Sequence, residues 1–493
     1  MDGRLTVNIK NLCVSFSSTT TQQQQKKDLN HMSLSVAVIG CGTTGVSALR
    51  WCTLRKLQVT GFDKEQTCGG IWRYGSNHSP AYESLYTNSS GVLMSLADFD
   101  WKFENTFPKH SDTCQYYDAY MDKYDMRKLV KWNSFVEKVF KEGDRWVVEF
   151  RDMKSKEGAT QKLFFDRVLV CTGKLWDPNY PSFVLKNLSQ TKIDCCHSRD
   201  YRNPLRYHGK RVVVIGAGNS ALDISLELSR DPSVLKPILV SVRRGTTVLP
   251  IETKNGDPVD VLVTSRAFQY LLSSSARKLL FKQITYDVNM EFQKYGLPPP
   301  VNNEDLFAIN NPIANLKESR AYIEALKKGL IKFVEGVTAF SGETGFETKA
   351  WENMEPSGIS IASNIDSAIF CTGYRVGLDF LEPSFRSQVV KEAVQKSGAQ
   401  IEYMNLFKEC LCAQDTSIAF LTFLTTYGNE SIVGSMQARW VTKFWVDGEF
   451  RKKVFDPEKF KIASEAKRKF LINSDAYSPF FVRKFGESKL IFS

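Results

Sequence analysis

The sequence predicts an α/β fold made of two doubly wound, Rossmann-like units, the second inserted in the first. Two observations carry this reading. SVAVIGCGTTGVSALRWC (35–52) and KRVVVIGAGNSALDISLEL (210–228) each run from a β-branched apolar stretch through a glycine-rich turn into a helical pattern. Two buried-strand runs, DRVLVCTG (166–173) and NIDSAIFCTGY (364–374), offer further parallel strands.

At 493 residues the chain has room for two to four domains and for a core that needs no disulfide staples. Apolar residues at 42% and charged residues at 24% are ordinary globular values, which excludes a chain disordered throughout. Net charge is +11 and the pI about 8.9, yet no run of five or six basic residues occurs, so no nucleic-acid partner is expected. A mildly positive surface suits anionic cofactors or loose contact with anionic headgroups, and suits plain solubility as well. The 11 cysteines are scattered without a CxxC pair, which fits a reducing, cytoplasmic compartment. Five histidines, none at ligand spacing from a cysteine, point to no metal.

Residues 1–33, with TTTQQQQKK, read as a disordered extension. Their scarcity of acids leaves a targeting segment open, although the arginine-rich signature is missing. Residues 34–208 and 331–493 are assigned to one unit and 209–330 to the other, because the first fold is expected to resume after the insertion. RWVVEF (145–150) alternates as a strand. Along 264–290, Phe268, Leu271, Leu272, Leu279, Leu280 and Ile284 fall near one helical face, with Arg266, Lys278 and Lys282 beside them. A helix packed on the core is expected there; a helix resting on a membrane surface, or covering a substrate entrance, is the alternative. The apolar segment 416–429 is shorter than the ~20 residues a bilayer span needs, and the polar end FGESKLIFS predicts no membrane anchor.

The first motif is Gly40-Cys41-Gly42-Thr43-Thr44-Gly45. Glycines here permit a tight turn, close approach of a pyrophosphate, and packing of the next helix on the strand. The helix N-terminus then presents N–H groups and a positive dipole end to phosphates. Asp63 ends the following apolar segment, VTGFDKE, about 20 residues on, where a ribose hydroxyl would donate to it. Gly69-Gly70-Ile71-Trp72 follows at a distance that brings the chain past the diphosphate and ring of FAD. Arg73 and Tyr74 stand where a flavin disulfide reductase would carry its redox cysteines, so that class is excluded.

The second motif is Gly216-x-Gly218-x-x-Ala221, with Asn219, Ser220, Leu222 and Asp223 opening its helix. Alanine in the third place is a known variant. The next strand, ILVSVRRG, ends on Arg243 and Arg244. An acid there would repel a 2′-phosphate, whereas a guanidinium grips it in a fork, so NADPH is expected rather than NADH.

The two glycine turns in this order, GGIW, TNSS (87–90), CCHSRDYR (195–202), GKRVVVIGAGNSALD (209–223), CTGY (371–374) and GSMQARW (434–440) together resemble the flavin-containing monooxygenases, particularly the animal-type branch. His197 and Tyr201 fit the second half of the family's Phe-x-Gly-x-x-x-His-x-x-x-Tyr pattern, while Thr191 and Ile193 stand where Phe and Gly are usual. Related Baeyer–Villiger enzymes carry Trp in place of Tyr201, which favours N- or S-oxygenation. His197 reads as a structural residue that joins the two units.

The resemblance implies an NADPH- and O2-dependent enzyme of the N,N-dimethylaniline monooxygenase kind. NADPH reduces FAD, oxygen adds at flavin C4a, and the hydroperoxide passes one oxygen to a small-molecule nucleophile, giving an N-oxide or S-oxide. The cofactor carries the hard chemistry, and the protein shields it from water. By the same resemblance Thr87, Asn88 and Ser89 touch the cofactors, and Asn88, with the retained oxidised nicotinamide, protects the hydroperoxide. The plain alternative is that Asn88 merely caps a turn. Peripheral contact with the endoplasmic reticulum and a homodimer stay open, and an NADPH oxidase releasing hydrogen peroxide is the rival activity.

Overall fold

Two parallel sheets organise the chain, each opened by one of the glycine turns. The computed structural model describes residues 33–465 except 77, 156–157, 266–270, 301–312, 352–353, 395–399, 425–428, 459–460 and 462–463. Most of the expected N-terminal extension, together with Arg266 and Phe268, therefore lies outside the described residues, as does the side chain of Lys278.

In the first sheet the strands run in the order Ile418–Phe420, Arg167–Val170, Ser35–Ile39, Gln58–Phe62 and Val130–Lys131, all parallel. The helix Thr43–Leu54 connects the strands Ser35–Ile39 and Gln58–Phe62. The opening strand is buried on both faces. Val36 and Val38 pack toward Leu49, Cys52 and Tyr117, whereas Ala37 and Ile39 pack toward Phe62, Trp146 and Phe150. Burial on both faces is why these strands read as unbroken apolar runs rather than alternating ones. A three-stranded antiparallel sheet, Ser134–Glu142, Arg145–Asp152 and Gln161–Phe165, covers the second of those faces and contains the expected RWVVEF strand.

The second sheet has six strands in the order Gly345–Lys349, Ile331–Ser341, Ile238–Val242, Val212–Ile215, Ser367–Phe370 and Asp194–His197. Only the hairpin formed by Ile331–Ser341 and Gly345–Lys349 is antiparallel. This pairing corrects the expected partition. The strands at 194–197, 331–341, 345–349 and 367–370, assigned from sequence to the first unit, hydrogen-bond into the second sheet. Among the described residues, the chain rejoins the first sheet at Ile418–Phe420. The chain enters and leaves the second unit at one place, where Asn179 N–H donates to Gly373 O at 3.0 Å and Arg375 N–H to Asp177 O at 2.9 Å.

The helix expected within 264–290 spans Ser274–Lys294, with Ser273 accepting the Ala276 N–H as its cap. Leu280, Phe281 and Ile284 pack on Val259 and Val263 of the short helix Val259–Thr264. Asn289 bonds both the N–H and the C=O of Val248 at 2.8 Å, which fixes the helix to an edge strand. One face is thus packed on the core, while Leu271 and Leu279 are 82% and 70% exposed. Among the described residues no helix is long and apolar enough to cross a membrane.

Candidate functional site

The first glycine turn is built around close backbone approach. Gly40 has φ +89°, and a Cβ there would lie 2.8 Å from Cys171 O. Gly42 faces Gly70, with a Cβ on Gly42 only 3.5 Å from Gly70 Cα. Two turns distant in sequence thus meet through hydrogen atoms alone, and side chains on both would fill the space between them. The helix that starts at Thr43 has Gly42 as its N-cap and no side-chain cap, so its positive end opens toward this gap. The gap belongs to a cleft of about 210 Å³ lined by Gly40, Gly42, Thr43, Thr44, Asp63, Gly70 and Ile71 among others. Thr44 turns its hydroxyl to Thr422 at 3.1 Å, which ties the turn to the segment before the helix Glu430–Val446.

Asp63 follows the strand Gln58–Phe62 and accepts the N–H of Cys41 at 2.6 Å and of Glu65 at 2.9 Å. Burial holds its carboxyl up at about 6, against the pull of those two N–H groups. Cys41 itself is fully buried, its thiol pushed well up by burial. Trp72 is half-buried, closing the single turn Gly70–Trp72, and does not line the cleft.

The second turn repeats the geometry of the first. Gly216 has φ +130°, and a Cβ there would lie 2.5 Å from Cys371 O. In both units, then, the first glycine sits against the carbonyl of a Cys-Thr-Gly segment that follows the neighbouring strand. Gly218 caps the helix Asn219–Arg230 without a side-chain bond, as Gly42 does. Asn219 accepts the Asn315 N–H at 2.8 Å, and Ser220 stands beside it in the first turn. Ala221 and Leu222 are fully buried, with their N–H groups bonded to Gly218 O. Arg243 is exposed and Arg244 half-buried just beyond the strand Ile238–Val242.

Asp223 points back toward the first unit. Its carboxylate accepts the Tyr82 hydroxyl at 3.1 Å, and burial raises its pKa to about 7. Tyr201, packed edge-on to Tyr82, donates to Glu227 at 2.7 Å. His197 is fully buried, accepts the Arg199 N–H on Nδ1 at 3.1 Å, and sits between the rings of Tyr180 and Tyr374. Burial lowers its pKa to about 4, so it is neutral at physiological pH and sits at the paired crossings between the units. Ile193, in the place where the family pattern has glycine, is a buried core residue of the second unit.

Thr87, Asn88 and Ser89 do not line the cleft. They form a bend in which Thr87 is buried, Asn88 exposed and Ser89 half-buried, closed by the Thr87 hydroxyl donating to Ser89 O at 2.7 Å. His110, whose N–H donates to Leu85 O, packs its ring against Tyr74 and so links this loop to the turn at Gly70. From the other side the second unit reaches it through Asp223 at Tyr82, Lys317 over the ring of Tyr86, and Asp260 at the N–H of Ser90. The loop is therefore joined to both units. Sequence reasoning missed Tyr82, Asp260 and Lys317, which are isolated residues in unremarkable stretches. It also missed the buried Lys174, whose ammonium bonds Leu424 O at 2.5 Å and Glu430 at 2.6 Å on the cleft wall. The signal for Lys174 was present, since it follows directly on the first Cys-Thr-Gly.

Residues 33–449 match the flavin-binding monooxygenase-like family. The chain is 28% identical over 425 residues to flavin-containing monooxygenase 3 of Homo sapiens, covering 84% of this chain and 74% of that one. It is 28% identical over 430 residues to an N-oxide-forming dimethylaniline monooxygenase of Oryctolagus cuniculus, covering 84% and 70%. The solved structure of the S-allyl-L-cysteine S-oxygenase from Allium sativum superimposes with a TM-score of 0.57 at 17% identity, covering 94% of this chain and 92% of that one. Two glycine turns of matching geometry, their order along the chain, and a match over most of its length lead to one conclusion: the chain belongs to the flavin-binding monooxygenase-like family, flavoproteins that work with FAD and NADPH.

Proposed function

We propose that the protein uses NADPH and O2 to oxygenate a soft nucleophile, an amine nitrogen or a sulfur, to its N-oxide or S-oxide. The observation that carries this reading is that the Thr87–Ser90 loop, which bears Asn88, is bonded to both of the units that carry the glycine turns. FAD held at Gly40, Gly42 and Gly70 would supply the oxygen chemistry: with two electrons from NADPH, one atom of O2 would go to the nucleophile and the other would leave as water. The remaining work falls to the chain itself.

Gly42 and Gly70 let a diphosphate approach the backbone, where the open end of the helix Thr43–Leu54 stabilises its charge. Asp63 accepts from a ribose hydroxyl. On the second unit, Gly216 and Gly218 do the same for the dinucleotide of NADPH, and Arg243 with Arg244 takes the 2′-phosphate. In this reading the NADPH unit runs from the crossing at 178–180 to the crossing at 372–374. The exposed amide of Asn88 can donate and accept at once, which suits a group that orders the nicotinamide and keeps water away from the reacting oxygen. His197, buried and neutral, packs between Tyr180 and Tyr374 and holds the crossings together.

The test is a panel of tertiary amines, thioethers and hydroxylamine precursors, scored for NADPH consumed and for oxygenated product formed. Product in proportion to NADPH supports the reading. NADPH consumption that yields only hydrogen peroxide with every class of nucleophile would establish an oxidase instead.

A further inference from the structure

The loop that carries Asn88 is held at its far end by a residue of the other unit. The Ser90 N–H donates to Asp260 Oδ2 at 2.6 Å across 170 residues of sequence. Among the described residues, this N–H is the backbone group of 88–90 that reaches another part of the chain. Upstream, the loop is fixed on its own unit by Thr87 N–H to Pro108 O at 2.9 Å, and downstream by Gly91 N–H to Thr106 O at 2.8 Å. Between those two anchors the described residues show the local Thr87–Ser89 closure, and Ser90 O accepts the N–H groups of Leu93 and Met94 at 3.1 and 3.2 Å. Ser90 is 1% exposed, so in the folded protein its N–H depends on the carboxylate for a partner.

Asp260 is firmly supported. It lies in the first turn of the helix Val259–Thr264, whose Val259 and Val263 pack on Phe281 of the long helix Ser274–Lys294. Its second oxygen, Oδ1, accepts the Val261 N–H at 2.8 Å, which fixes the carboxylate's direction. A charged acceptor on a packed element, aimed at one buried N–H of a bend, is the arrangement that sets a loop's geometry.

We propose that Asp260 is a positioning residue for oxygenation: by holding Ser90 it keeps Asn88 at the nicotinamide and flavin, and it ties that geometry to correct seating of the NADPH unit. The proposal rests on the role given to Asn88 above. It touches neither cofactor and enters no bond-making step.

The test uses the full-length holoenzyme and three variants, with Asn88→Ala in parallel. Asp260→Ala removes the acceptor. Asp260→Asn keeps a carbonyl oxygen in its place and should rescue. Ser90→Pro deletes the donor from the other side, and the φ of −66° at Ser90 is one that proline adopts. Loss of a hydrogen bond to a charged group should speed exchange of the Ser90 amide in Asp260→Ala about tenfold or more, read by residue-resolved hydrogen–deuterium exchange. Hydrogen peroxide released per NADPH should rise severalfold in Asp260→Ala and Ser90→Pro, while FAD content and the anaerobic rate of NADPH oxidation stay as in the native enzyme. Asp260→Asn should return both readouts most of the way. The exposed neighbour Asp257→Asn should change neither.

Unchanged Ser90 exchange in Asp260→Ala, or unchanged coupling in both Asp260→Ala and Ser90→Pro, overturns the proposal. Should Asp260→Ala fail to fold, Ser90→Pro and Asp260→Asn decide it alone. If Asn88→Ala leaves coupling unchanged, the role of Asn88 fails, whereas Ser90 exchange still reports whether Asp260 holds the loop.

Discussion

Three glycines of the first turn stand in different physical situations, and substituting each with alanine should separate ligand binding from folding. Gly42 has φ −67°, which any residue adopts, and a Cβ on it would sit 3.5 Å from Gly70 Cα, an ordinary contact. Nothing in the protein forbids alanine there; what the methyl occupies is the space a diphosphate needs. Gly45 is the opposite case. A Cβ on Gly45 would lie 1.9 Å from Gly40 O, an overlap that only backbone movement relieves. Gly40 joins it, because its φ of +89° and the 2.8 Å approach to Cys171 O both disfavour alanine. Gly42→Ala should therefore leave the unfolding midpoint of the deflavinated protein unchanged. Displacing the phosphate from one charge-assisted hydrogen bond costs about 1.5–3 kcal/mol, so FAD affinity should fall roughly tenfold to a hundredfold. Gly45→Ala should destabilise the apoprotein itself, by at least the ~1–3 kcal/mol of ordinary overpacking. Flavin fluorescence titration of the deflavinated protein and urea unfolding measure the two quantities separately. Native FAD affinity in Gly42→Ala, or an apoprotein as unstable as Gly45→Ala, would refute the assignment of this cradle to the cofactor.

The two glycine turns were legible because everything that makes them is local: an apolar strand, a turn that excludes side chains, and a helix start. The partition of the chain was not. A buried parallel strand looks the same whichever sheet it joins, so NIDSAIFCTGY at 364–374 carries no mark that it pairs with Val212–Ile215 rather than with Ser35–Ile39. One clue was nevertheless present. Each unit has its own Cys-Thr-Gly, and each supplies the carbonyl against which its first glycine packs, Cys171 for Gly40 and Cys371 for Gly216. One copy per glycine turn would have put 367–370 in the second unit. The contacts around the Thr87–Ser90 loop offered no such clue. Tyr82, Lys317 and Asp260 gain their meaning only from partners 141, 231 and 170 residues away, and an acid in the first turn of a six-residue helix is commonplace.

Arg243→Ala is expected to raise the KM for NADPH about tenfold to a hundredfold while altering NADH kinetics little, since a charge-assisted bond to the 2′-phosphate is lost; steady-state kinetics with both cofactors check this, and equal loss with both would assign Arg243 to the fold. Asn88→Ala is expected to keep full FAD content and normal NADPH oxidation under anaerobic conditions, yet to release hydrogen peroxide in place of oxygenated product. Native coupling in that variant would leave Asn88 an ordinary turn residue. The pH dependence of the apoprotein's stability should carry the signature of Asp223, whose buried carboxyl is held near 7 against about 3.9 in an unfolded chain. The sign follows from proton binding. Between those two values the folded state holds a proton that the unfolded state has released, so stability falls as pH rises through this window and levels off above it. Asp223→Asn keeps an oxygen to accept from Tyr82 but cannot ionise. Its stability relative to the native apoprotein should therefore grow from pH 5 to pH 7 and then stay constant to pH 8.5. Urea unfolding of the two proteins across that range reads this group, because titrating residues that do not interact with it cancel in the difference. A difference that stays flat, or one that shrinks as pH rises, would mean that Asp223 is ionised in the folded protein. The Tyr82 hydroxyl would then be holding a charge between the two units rather than a neutral acid.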